Sequence, residues 1–247
     1  MQQVARAEPD GHTLLVTGDA IVLAELTLPQ AGFTVRDNFA PVVQAVRAAQ
    51  IIATHPGTAF AAIAGYVAAI RARPGALNVG IPSRGGIAQV VHELLSRELD
   101  ELPVEFVSYR GGGPAILDLI ARNTDALVIT LPAITEQVRQ GAIRPLAVST
   151  ARRDSALPEI PTLAETVAPD FDVESWQGVL APAATPPAII ARLHEGIAAA
   201  LRDSAVHARL TGLGFEVVAA GPEEFRARAE AATARFAGVT RRVTPGG

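Results

Sequence analysis

The sequence predicts an α/β fold of layered strands and helices, and three observations carry that prediction. Short apolar runs alternate with stretches of helical periodicity along nearly the whole chain, the pattern of α/β layers. Two strand-to-helix junctions are glycine-rich in the same way, Pro82-Ser83-Arg84-Gly85-Gly86 and Tyr109-Arg110-Gly111-Gly112-Gly113. The 247 residues, 49% hydrophobic and 19% charged, suffice to fill a core in one large domain or in two lobes of ordinary size.

Residues 12–17 read as a short strand ending at Gly18-Asp19. Residues 51–54 read as another, which His55-Pro56-Gly57-Thr58 turns into a helix over about 59–72, stopped by Pro74-Gly75. Residues 77–81 form a buried strand candidate. The helix after it places Ile87, Val90, Val91, Leu94 and Leu95 at the spacing of one buried face. Residues 104–108 are a further strand, followed by a helix from Pro114, whose missing N–H would have had no partner in a first turn. Strands at 126–130 and 143–149, with a short helix near 134–140, complete a βαβ series and hence one doubly wound lobe. Prolines are frequent from 151 to 187, and residues 170–176 alternate apolar and polar as an extended segment does. A helix over about 188–202 follows, then a shorter one ending at Gly212 or Gly214, a strand at 215–218 and a closing helix opened by Pro222.

Composition narrows the function. A net charge of -4 with no basic stripe argues against nucleic acid. Without cysteine there is no disulfide, thiolate metal site or cysteine nucleophile. The histidines His12, His55, His92, His194 and His207 lack metal-ligand spacing, so neither metal nor cofactor is expected. The uncharged stretch 48–70 is broken at His55-Pro56-Gly57-Thr58, which reads as two buried elements instead of a membrane span. Residues 1–8 carry no apolar signal-peptide core.

The glycine loops offer anion chemistry. Free N–H groups at a helix start, together with the positive end of its dipole, attract carboxylates, and glycine lets the backbone approach a ligand closely. In open α/β sheets such loops lie at the carboxyl ends of strands, where ligands bind. Each feature also has a plainer reading: glycine turns serve packing, Arg84 and Arg110 could be solvated charges, and Tyr109 and Trp176 could be packing aromatics. Enzyme motifs fail. Ile116 stands where a dinucleotide fingerprint needs its third glycine, and Gly80-Ile81-Pro82-Ser83-Arg84-Gly85 has one residue too many before the serine for a nucleophile elbow. No Walker lysine follows a glycine loop.

At these loops the sequence resembles the Bug family of solute receptors, the extracytoplasmic component of tripartite tricarboxylate transporters. Four ordered blocks carry the resemblance. They are Pro9-Asp10-Gly11-His12-Thr13-Leu14-Leu15; Asp37-Asn38-Phe39-Ala40-Pro41-Val42; Tyr109-Arg110-Gly111-Gly112-Gly113-Pro114-Ala115; and Leu157-Pro158-Glu159-Ile160-Pro161-Thr162-Leu163-Ala164-Glu165 with residues 171–176 and Ala181-Pro182-Ala183-Ala184-Thr185-Pro186. The resemblance implies a type II periplasmic-binding-protein fold, in which two doubly wound lobes joined by crossing strands close on a small ligand. It places the crossings near 77–81 and 176–181, giving lobe one as residues 1–79 and 178–247 and lobe two as 80–177.

It further implies a periplasmic, monomeric, non-enzymatic receptor that binds a small carboxylate in an interlobe cleft and delivers it to membrane transporter subunits. The ligand residues it implies are Thr17, Gly18, Ser83, Arg84, Gly85, Gly86, Tyr109, Arg110, Gly111, Gly112, Gly113, Pro114 and Trp176. Three departures stand out. Gly86 occupies a usual Ser or Thr position, Gln89 a frequent histidine, and Val128-Ile129-Thr130 precedes Leu131-Pro132 where an acidic residue is common. The family's signal peptide and first strand, ligand loop and helix would precede the Pro9 block, so the expected chain is an N-terminally truncated member with its true start upstream. The alternatives are a truncated, non-binding remnant and an α/β enzyme that uses the same cleft.

Overall fold

A computed structural model describes residues 1–28 and 31–239. Contacts divide the chain into two compact units, Met1–Arg47 with Ser175–Gly247, and Ala48–Glu174. Unit 1 opens with helix α1 (Gln2–Ala5), strand β1 (Leu15–Gly18), helix α2 (Ala20–Thr27) and the single turn α3 (Val35–Asn38), which Thr34 caps by accepting from Asp37 N–H. Strand β2 (Phe39–Thr54) then runs for 16 residues and carries the chain from unit 1 into unit 2. The expected boundary at 79/80 therefore differs from the division at 47/48. Residues 44–47 of β2 pair with β8 in unit 1 and residues 50–54 pair within unit 2, so the strand itself is the passage. At the other end the expected boundary at 177/178 compares with 174/175.

Unit 2 continues with α4 (Ile63–Ala72), β3 (Asn78–Ile81), α5 (Ile87–Glu98), β4 (Glu105–Ser108), α6 (Gly112–Ile120) and β5 (Ala126–Thr130). A 3-10 turn (Leu131–Ala133), α7 (Thr135–Arg139), β6 (Arg144–Val148) and α8 (Leu163–Thr166) complete it. A capping box closes the start of α8: Thr162 Oγ1 accepts from Glu165 N–H, and Glu165 Oε2 accepts from Thr162 N–H. The sheet order is β6-β2-β5-β3-β4. Strands β4, β3 and β5 are mutually parallel, while β2 is antiparallel to both β5 and β6. Ile51, Leu127, Ile129 and Val148 from the sheet pack with Ala115, Ile116 and Leu119 of α6 into one core.

The chain re-enters unit 1 through β7 (Glu174–Pro182), then forms α9 (Pro187–Arg202), α10 (Ser204–Leu213), β8 (Glu216–Ala220) and α11 (Pro222–Ala237). Proline opens α9 and α11, where its missing donor costs nothing. Gly214 ends α10 at φ 96, a left-handed conformation that suits glycine. The sheet order is β1-β7-β2-β8, with β1 antiparallel to β7 and β8 antiparallel to β2. Its core joins Val42 and Val43 of β2 and Val179 and Ala181 of β7 to Ile190 and Leu201 of α9.

Most expected elements are present with shifted ends. Helix α6 starts two residues before Pro114, which still falls in the first turn, and β5 has the bounds read from the sequence. Among the described residues no helix is long and apolar enough to cross a membrane.

Candidate functional site

In unit 2 the parallel pairing of β3 with β4 sets Ile81 opposite Ser108, so the two glycine loops leave the same end of the sheet side by side. The loops are bonded to each other and to the strands: Tyr109 N–H donates to Ile81 O at 3.0 Å and Gly111 N–H to Pro82 O at 2.9 Å. Each loop then enters a helix N-terminus. Gly86 is the N-cap of α5, and Gly111, at φ 109, is the N-cap of α6. A residue with a side chain would be strained at Gly111, which explains the glycine. A Cβ at Gly111 or at Gly113 would meet nothing within 4 Å, so the backbone is open to a ligand on that side.

The first N–H groups of a helix have no intrahelical acceptor. Those of Gly112 and Gly113 find none among the described residues. Arg84 and Arg110 flank the loops, are exposed, and form no ion pair among the described residues. The local field is thus positive, with two helix N-termini and two guanidinium groups.

Side chains behind the loops hold them in place. Gly85, at φ 70, donates its N–H to Gln89 Oε1 at 2.9 Å. Ser83 Oγ lies where a Cβ at Gly86 would come within 2.5 Å, so Ser83 fills the space a larger residue at 86 would need. Tyr109 donates its hydroxyl proton to Asp118 Oδ2 at 2.6 Å, and Asn123 Nδ2 donates to Asp118 Oδ1 at 3.0 Å. Both bonds favour the ionised Asp118 and lower its pKa, the Tyr109 bond most. Burial first and this bond second push Tyr109 up to about 12, so its proton is committed to Asp118 at ordinary pH. Helix α5 is anchored through His92, whose Nε2 lies 2.8 Å from Tyr66 Oη on α4. Burial lowers His92 to about 4, leaving it a neutral structural group.

Unit 1 gathers the remaining expected residues around the β1–β7 pairing. Thr17 faces Gly178 and Gly18 faces Gln177 across the ladder. A Cβ on Gly18 would come within 2.5 Å of Trp176 O, so close backbone approach requires glycine there. Trp176 is buried, 4% exposed, and packs edge-to-face on Phe225 at 5.1 Å; its Nε1 has no partner among the described residues. Trp176 also lines a cavity of about 390 Å³ inside unit 1, with Phe39, Leu180 and Phe225 on its apolar walls and Arg36 and Glu230 among its charged residues.

Sequence reasoning passed over Asp19, next to Gly18. The residue is 5% exposed, and its carboxylate accepts from Ser175 Oγ at 2.6 Å and from the N–H groups of Trp176 and Ala20. Burial outweighs these bonds and raises it to about 6. The only local signal was a charged residue between a strand end and an apolar helix; its main partner lies 156 positions away. No group of three or more metal-ligating side chains occurs among the described residues.

The comparisons agree on one family. The signature of the tripartite tricarboxylate transporter family receptor matches residues 1–240. Protein BugT of Bordetella pertussis is 30% identical over 239 residues, which span 96% of this chain and 73% of BugT. The structure of Rpa4515 of R. palustris with adipate superposes with a TM-score of 0.90 at 27% identity, over 98% of this chain and 82% of that one. MatC of Rhodopseudomonas palustris with bound malate gives 0.87 at 26% identity, over 96% and 82%. The fold is thus that of the type II periplasmic binding proteins.

Proposed function

The chain belongs to the tripartite tricarboxylate transporter receptor family, a family of solute receptors and not of enzymes, and from that premise we propose that it binds a small carboxylate through the glycine loops of unit 2. The observation that carries this reading is the side-by-side exit of loops 83–86 and 109–113 from β3 and β4 into two helix N-termini, with N–H groups and two guanidinium groups around them that have no partner among the described residues. Each N-terminus contributes about 0.3–1 kcal/mol toward an anion, and each charge-assisted N–H bond about 1.5–3 kcal/mol. Two loops converging on one carboxylate therefore give more than either alone.

Ser83, Gly85, Gly86, Gly111, Gly112 and Gly113 supply the close backbone approach, Pro114 sets the first turn of α6, and Arg84 and Arg110 attract the anion. Tyr109 positions its loop through Asp118. Thr17, Gly18 and Trp176, in unit 1, belong to the same proposed ligand set. The receptor acts as a monomer in the periplasm and passes its solute to membrane transporter subunits. Adipate, bound to Rpa4515, and malate, bound to MatC, are the first probes.

A thermal-shift titration with these and other carboxylates tests the reading. Stabilisation should grow with ligand concentration above the dissociation constant. Gly113→Ala, which puts a methyl on the open face of the loop, should weaken binding while leaving the melting temperature of the free protein unchanged. A protein that no carboxylate stabilises at millimolar concentration would refute the proposal.

A further inference from the structure

Gln89 lies in the first turn of α5, directly behind loop 83–86, and is only 6% exposed. Its Oε1 accepts from Gly85 N–H at 2.9 Å. A backbone N–H can only donate, so this bond fixes which end of the amide faces Gly85. The other end is then an NH2 group that can only donate. It has no acceptor among the described residues, and it is not among the side-chain atoms sealed from solvent without a partner. A residue otherwise buried thus presents a free donor at the loop, and amide geometry keeps that nitrogen against the same strand-to-helix turn as its oxygen.

The residue is buried, yet this one donor reaches solvent beside an anion-attracting turn, where an acceptor arriving from outside can replace water. We propose that Gln89 is a positioning and recognition residue of the carboxylate site. Its oxygen holds Gly85 in the left-handed conformation, φ 70, that shapes the loop, and its nitrogen donates to one oxygen of the bound solute. Being neutral, it recognises the solute without a proton equilibrium of its own, so recognition at this position is independent of pH across the physiological range. The inference rests on the reading of loop 83–86 as a carboxylate site.

The experiment follows the side-chain NH2 signals of Gln89 and the backbone amides of Gly85 and Gly86 by 1H–15N NMR while malate, and separately adipate, is added. Gln89→Glu assigns the side-chain pair by its disappearance, keeps an acceptor for Gly85 and removes the donor. The expected result is that the Gln89 pair and the loop amides move together with one midpoint, and that Gln89→Glu weakens binding at least tenfold while the spectrum of the free protein stays that of the native fold. Loop amides that move while the Gln89 pair stays still would overturn the role of Gln89 and leave the site intact. Signals that all stay still with both ligands would overturn the site and this inference together.

Discussion

Asp19→Asn probes how burial sets the charge state at the β1–β7 junction. The carboxyl ionises near 3.8 in the unfolded chain and near 6 in the folded one, because burial penalises the charged form more than its three hydrogen bonds favour it. Below the unfolded value both states hold the proton and Asp19 contributes no pH dependence. Between the two values only the folded state holds it, so stability falls as pH rises, and above about 6 the full penalty applies. At about 1.4 kcal/mol per pKa unit the whole effect is about 3 kcal/mol, of which about 2 kcal/mol falls between roughly pH 4.5 and 7.5.

Asparagine keeps an acceptor for Ser175 but cannot ionise. It also turns one acceptor into a donor facing backbone N–H groups, so the absolute stability at one pH mixes two effects and the pH slope is the clean quantity. Urea unfolding followed by the fluorescence of the single tryptophan, Trp176, measures that slope for both proteins. The native chain should lose about 2 kcal/mol more than Asp19→Asn between those pH values. Parallel pH profiles, within about 0.5 kcal/mol, would show that the folded carboxyl titrates normally and that burial does not control it.

Three other substitutions bear on the glycine and tyrosine positions. Gly18→Ala should cost about 1–3 kcal/mol in the urea midpoint, because its Cβ meets the Trp176 carbonyl oxygen at 2.5 Å on a paired strand that cannot yield, whereas Gly113→Ala should stay within about 0.5 kcal/mol. Tyr109→Phe should lower the melting temperature by about 2–4 °C and let the Asp118 pKa rise toward the ordinary carboxylate range, readable by NMR titration of Asp118.

Much of the fold was legible because local chemistry encodes it. Of the apolar spacing from Ile87 to Leu95, Val90, Val91 and Leu95 are buried on α5 while Ile87 and Leu94 are half-buried, and proline in a first turn marks α6, α9 and α11. The glycine loops were equally visible, since a turn from strand to helix that needs φ 109 at Gly111 has few other solutions. By contrast, only residues 51–54 of β2 read as a strand, although it runs over Phe39–Thr54. It is buried on nearly all positions and carries Pro41, Gln44, Arg47 and Gln50, so neither alternation nor a clean apolar run marks it. Helix α2 buries Ile21, Val22 and Leu23 in succession, which leaves no single stripe to read.

The sequence by itself determined the α/β class, the family and the two loops that attract an anion, because periodicity, glycine and proline act within a few residues of where they stand. Only the tertiary structure decided what surrounds those loops. It set Gln89 on Gly85 with one amide end free, Tyr109 on Asp118, and Asp19 on Ser175 across 156 positions. It also decided that the chain passes between its units in the middle of β2. These are matters of burial and of partners brought together by packing. A residue's protonation and its free hydrogen-bonding capacity depend on such neighbours, which the order of residues alone does not name.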